Sequence, residues 1–119
     1  MQQERPRLKV TTEGNVTVVE ITDRKLLDEG SIAEIGEQLN ALALESGSPR
    51  MLLDFAGVSH MSSSALGMLI TLHKRVREKG GQLRLCNIQP AIYEVFVITR
   101  LNEIFQVFRS RAEAIESLN

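Results

Sequence analysis

The stretch "LKVTTEGNVTVVEI", residues 8–21, alternates β-forming residues on either side of Gly14-Asn15. A period of two about a Gly-Asn pair predicts a hairpin, with strands over roughly 8–12 and 16–21. The polar run "TDRKLLDEG" reads as a turn. From there the period changes: Ile32, Ile35, Leu39, Leu42 and Ala43 recur at helical spacing and predict a core-facing stripe. Ser31 stands where an N-cap belongs, and Glu34, three residues on, completes a capping box. "SGSP" closes that helix, and "RMLLDF" is a short apolar strand. A second helix is predicted over about 63–79. Ala65, Leu69, Leu72 and Val76 form its buried stripe, Met68 and Ile70 widen it, and Lys74, Arg75, Arg77, Glu78 and Lys79 face solvent. Gly80-Gly81 ends it. "QLRLCN" is the next strand, Pro90 opens a third helix over "PAIYEVFVIT", "EIFQVF" is a last short strand, and Ser110 or Arg111 starts a final helix.

Strands therefore alternate with helices after an opening β-hairpin. The economical arrangement is α/β: a mixed β-sheet of four to five strands flanked by about four α-helices, with right-handed crossovers between parallel strands. No internal repeat, linker or low-complexity segment interrupts the 119 residues, so residues 1–119 read as a single domain. The edge of the hairpin is a place where a second copy could pair, which makes a homodimer an open possibility.

Composition narrows the functional classes. Hydrophobic residues make up 43% and charged residues 24%, enough to bury an ordinary core. A formal net charge of -1, with a pI of about 6.1, provides no general attraction to nucleic acid or anionic membrane. The opening "MQQERPRLKV" lacks the apolar centre of a secretion signal, and no run approaches the roughly 20 apolar residues of a membrane span. A cytoplasmic protein without membrane insertion is expected. The single cysteine, Cys86, lies in the apolar "LRLC" and reads as a buried thiol.

Signatures of catalysis are thin. His60 lies three residues before Ser63, but the sequence around that serine is not a G-x-S-x-G elbow. Two histidines and one cysteine at scattered positions do not form a metal site, and Gly80-Gly81 precedes a strand where a phosphate-cradling loop follows one. Asp54 ends a strand without a second carboxylate close to it in sequence. The expectation is a protein that is not an enzyme and carries no cofactor or metal.

What stands out is "HMSSSALGML", residues 60–69. One serine suffices to cap a helix. Ser62 or Ser63 fills that role, and at least one further hydroxyl is left to solvent at the helix mouth. The free amides and positive dipole end there favour a phosphate, and phosphoserine would add about -1.5 to -2 charges without breaking the helix. The surface from Ser59 to Met68 would then be a partner face, with Met61 and Met68 offering adaptable apolar contact beside neutral hydroxyls.

The segment "LLDFAGVSHMSSSALGMLITLHKRVREKGGQLRLCNIQPAIYEVFVITRLNEIFQVF" resembles the STAS domain of bacterial anti-sigma factor antagonists, and the match extends over about residues 8–115. The resemblance rests on an apolar strand ending in a carboxylate, a loop close to Met-Asp-Ser-Ser-Gly-Leu-Gly, a helix, a Gly-Gly turn, a strand and a Pro-led helix in order. It implies the STAS fold. It also implies that Ser63 is the phosphorylated serine, with Ser62 and Ser64 as lesser candidates, and that Ser59, His60, Met61, Ser62, Ser64 and Met68 contact the partner. The implied partner is an anti-sigma factor that is itself a serine-protein kinase, and a PP2C-type phosphatase reverses the modification. Met61, Leu66 and Gly67 match the family pattern. Ser62 replaces its Asp and removes a charge beside the acceptor, and Ala65 replaces a Gly and favours helix by about 1 kcal/mol. The other roles implied by such a domain, a subunit of a lipid-transport ABC complex or a stressosome-type scaffold, involve no phosphorylation. A hydrolase using Ser63 is a third reading.

Overall fold

The computed structural model describes residues 2–5 and 7–118. Strands β1 (Gln2–Arg5), β2 (Leu8–Glu13) and β3 (Val16–Ile21) form an antiparallel meander. Gly14 turns the β2–β3 hairpin with φ +60°, a conformation open to glycine at no steric cost. A two-residue strand β4 (Lys25–Leu26) precedes helix α1 (Glu29–Leu44), and strand β5 (Arg50–Asp54) follows it. Strand β6 (His60–Met61) leads into α2 (Ser63–Glu78), then come β7 (Gln82–Cys86) and α3 (Pro90–Ile98). A single 3-10 turn, Leu101–Glu103, joins α3 to β8 (Gln106–Phe108), and α4 (Arg111–Leu118) closes the chain. None of these helices is long and apolar enough to cross a membrane.

The main sheet has the order β1-β2-β3-β5-β7-β8, with β3, β5, β7 and β8 mutually parallel. The α/β class and four helices match the expectation, and the five strands read from the pattern are joined by β1. Its residues, "QQER", are polar and pair through backbone, so the sequence carried no periodic signal for it. β1 also occupies the outer edge of the hairpin, the edge that the sequence offered to a second copy.

Alternation along the strands builds two cores. Val19, Ile21, Met51, Leu53, Leu83 and Leu85 face α1, α2 and α3. Val18, Leu52 and Cys86 face α4 through Ala114 and Leu118. The α1 stripe of Ile32, Ile35, Leu39, Leu42 and Ala43 and the α2 stripe of Ala65, Leu69, Leu72 and Val76 are all buried as the spacing predicts. Pro90 occupies the first turn of α3, and Ser110 caps α4 by accepting from the Glu113 amide at 3.2 Å.

The start of α1 differs from the expectation. Asp28 is the cap: its Oδ2 accepts from the Ser31 amide at 2.8 Å and from the Ser31 hydroxyl at 2.9 Å. Ser31 sits inside the first turn, and Glu34 accepts instead from Arg7 Nε at 3.3 Å. A carboxylate at the N-cap also complements the helix dipole, which a serine cannot do. At the far end of α2, Gly80 adopts φ +72° and donates to the Arg77 carbonyl, while the Gly81 amide reaches Val76 O, both at 2.9 Å. This is the Schellman closure that the Gly-Gly pair predicts.

Candidate functional site

The mouth of α2 is held in place before the helix begins. In the run read as a simple turn, β4 pairs in parallel with β6, Lys25 opposite His60 and Leu26 opposite Met61. The Ser59 amide donates to Arg24 O at 2.8 Å, and the Ser62 amide donates to Leu26 O at 2.9 Å. Two-residue strands have no detectable period, so only the Leu26-Leu27 pair within polar sequence hinted at this support. Leu26 is fully buried beneath it.

Each of the three serines has a different place. Ser62 is the N-cap, with extended backbone (φ -88°, ψ 170°) and its Oγ accepting from the Ala65 amide at 3.3 Å. Its carbonyl accepts from the Leu66 amide at 3.2 Å, so both its backbone and its side-chain oxygen take part in starting the helix. Ser63 and Ser64 are the first two helical residues and both are exposed. The first turn of α2 contains no acidic residue, while Arg75 and Arg77 occupy the last turn. A negative group added at the mouth therefore meets the positive end of the dipole with no carboxylate competing for it.

Beside the serines lies a notch of about 190 Å³. Ser59, His60, Met61 and Leu66 form one wall, and Ala91, Ile92 and Val95 of α3 form the other. Ser59 Oγ lies 3.2 Å from Arg24 O and 2.9 Å from His60 Nδ1. The Arg24 carbonyl can only accept, so the Ser59 hydroxyl donates to it. The histidine thus meets Ser59, and among the described residues no hydrogen bond joins it to Ser63. Met61 is half-buried against the core and opens onto the notch. Met68 is directed elsewhere: its Cγ lies 3.0 Å from where a Cβ on Gly36 would stand, so it fills the α1–α2 seam. The rest of its side chain is partly exposed. Ala91 and Val95 escaped the sequence reading because they come from another element, α3.

Asp54 is bound as a structural anion. It accepts from Arg111 Nη2 at 2.7 Å, from Arg111 Nε at 3.1 Å, from Asn87 Nδ2 at 3.0 Å and from the Ala56 amide at 2.9 Å. Burial alone would raise its carboxyl pKa, but the Ala56 amide, Arg111 and Asn87 together hold it below the ordinary carboxylate value. This ties it to α4 and leaves it far from the role of a catalytic base. Among the described residues, no group of three or more His, Cys, Asp or Glu side chains is gathered as a metal site.

Comparison with known proteins agrees with this geometry. The STAS domain model matches residues 7–114. Over 81 residues, 66% of this chain and 70% of the other, the chain is 35% identical to a Bordetella bronchiseptica protein named as the anti-sigma factor antagonist BtrV. The fold superposes with a TM-score of 0.83 on an anti-sigma-factor antagonist (STAS) domain protein from Planctomyces limnophilus, at 26% identity over 94% of this chain and 97% of that one. The Bacillus cell fate determinant SpoIIAA in its phosphorylated form shares the fold with a TM-score of 0.70, at 18% identity over 94% of this chain and 99% of its own. A family match over nearly the whole chain, with a fold shared at a TM-score of 0.83, places this protein in the STAS domain family, among the anti-sigma factor antagonists.

Proposed function

We propose that the unphosphorylated protein binds an anti-sigma factor with serine-kinase activity through the α2 mouth and the adjoining notch, freeing a sigma factor. Phosphorylation of Ser63 ends that contact, a PP2C-type phosphatase restores it, and the exchange takes place in the cytoplasm. One observation carries this reading. Ser62 is committed to the cap, which leaves Ser63 exposed at the first helical position, above uncapped amides and without a competing acid. The phosphorylated form of the structurally similar SpoIIAA supports it.

The modification acts through charge and desolvation. The helix dipole accommodates phosphate in the free protein, so the fold has no cause to rearrange. Against a packed partner, nearly two negative charges would be stripped of water and unpaired. Such a loss costs about 2–5 kcal/mol, or upward of about 30-fold in affinity. Incubation with the cognate kinase and ATP should place one phosphate on Ser63, located by peptide mass spectrometry, and Ser63→Ala should abolish it. Persistent labelling of Ser62 or Ser64 in that variant would move the acceptor. Ser63→Asp should weaken binding in titration calorimetry, though less than phosphate does, and salt should recover part of the loss. Full affinity in both Ser63→Asp and the phosphoprotein would leave a constitutive adaptor in place of a switch.

A further inference from the structure

The chain leaves two neighbouring parallel strands toward opposite faces of the sheet. After β7 it turns to the side of α1 and α2, where Ile92 and Phe96 of α3 join the larger core. After β8 it turns to the other side, where Ala114 and Leu118 of α4 join the smaller one. A crevice must open beyond the carboxyl ends of two such strands, and in open α/β sheets crevices of this origin are where small ligands bind. Here it is present, with a volume of about 450 Å³, within the range of ligand pockets.

Its lining has a definite chemistry. Ile88 and Pro90 form one apolar side with the ring of Tyr93, and Val107 and Phe108 form the other. Arg109 stands at the rim, exposed and without a carboxylate partner among the described residues. The floor is rigid. Asn87, held at φ +58°, donates its amide N–H to Phe108 O at 3.2 Å and its Nδ2 to the buried Asp54 at 3.0 Å. One residue thus bolts the β7 end to the β8 end.

We propose that the β7–β8 crevice binds a small organic anion, an aryl or cycloalkyl carboxylate whose apolar ring lies between Tyr93 and Phe108 while its carboxylate pairs with Arg109. The site shares no residue with the α2 mouth and stands or falls independently of the switch. Tyr93 is the chain's single tyrosine and tryptophan is absent, so the tyrosine ring resonances report on the crevice alone.

The full chain, labelled with nitrogen-15, is titrated with benzoate, 2-naphthoate and cyclohexanecarboxylate, and with the corresponding neutral alcohols. Saturable shifts are expected in the Tyr93 ring and in the amides of residues 87–93 and 107–109, with the carboxylates binding more tightly than the alcohols. Arg109→Gln should weaken the carboxylates at least about fivefold and leave the alcohols unchanged. An absence of saturable shifts with every probe, or shifts scattered over other surfaces, overturns the site. Equal binding of acids and alcohols, unaltered by Arg109→Gln, overturns its assignment to anions. Urea unfolding of Arg109→Gln at wild-type midpoint confirms that the variant reports binding and not damage, since the side chain lies on the surface.

Discussion

Ser62 and Ser63 are neighbours of one residue type with opposite duties, and stability measurements separate them. Ser62→Ala removes the bond to the Ala65 amide and should cost about 1 kcal/mol in urea denaturation. Ser63→Ala, exposed and not the cap, should leave the midpoint unchanged. The reverse pattern would make Ser63 the cap and withdraw it from the switch. Cys86 is fully buried, and burial together with the nearby Asp54 pushes its thiol up to about 12. It should resist a chromogenic disulfide reagent in native buffer and react at once in denaturant. His73 packs edge-on against Phe105 at 5.2 Å, and its buried Nδ1 has no partner among the described residues. Burial, and then Arg77, lower its pKa from the ordinary 6.5. The unfolded chain therefore takes up a proton before the folded one does. The stability contributed by neutral His73 is complete above that ordinary value and is lost as pH falls through the lowered one. His73→Phe, which keeps a ring against Phe105, should flatten the decline in that window, and an unaltered slope would place its origin elsewhere.

At the scale of elements, the two ends of α2 respond oppositely to the same substitution. A Cβ on Gly81 would lie 2.2 Å from Pro49 O, a backbone atom that cannot yield, so Gly81→Ala should cost about 1–3 kcal/mol. Gly67 has nothing within 4 Å of its Cβ position, and Gly67→Ala should stabilise the helix by up to about 1 kcal/mol. If the partner face runs along this turn, the same change should weaken anti-sigma factor binding while raising the melting temperature. The long elements were legible because their periods are strong: the α1 and α2 stripes and the alternation of β2 and β3 carry many apolar positions each. What escaped had little or no period. β1 is polar, β4 and β6 have two residues each, and the choice of Asp28 over Ser31 as cap depends on one carboxylate placed three residues earlier. At the candidate site the serines and Met61 could be read directly, whereas the α3 wall of the notch could not. Ala91 and Val95 meet His60 only because β5 and β7 are adjacent in the sheet.

The whole molecule is closed by a charge cluster at the end of its central strand. Arg111 reaches from α4 to Asp54, with Glu20 a further 3.6 Å contact. Arg111→Ala leaves the buried carboxylate without its counter-ion and should cost at least about 2 kcal/mol, below the fully buried figure because Arg111 is about one-third exposed. Asp54 titrates lower in the folded chain than in the unfolded one, so its contribution is present above the ordinary carboxyl value and lost as pH falls through the lowered one. Asp54→Asn should therefore be less stable at neutral pH and show a shallower acid limb than wild type. The strand order of the main sheet follows the order of the chain, β1 to β8, which also bears on how the protein is made. A polypeptide emerging from the ribosome can add each strand to an edge that already exists, without threading between earlier ones. The exception is Asp54, whose arginine follows 57 residues later. A nascent chain must keep that carboxylate hydrated until α4 emerges, so the sheet end dries only after the strands around it are in place.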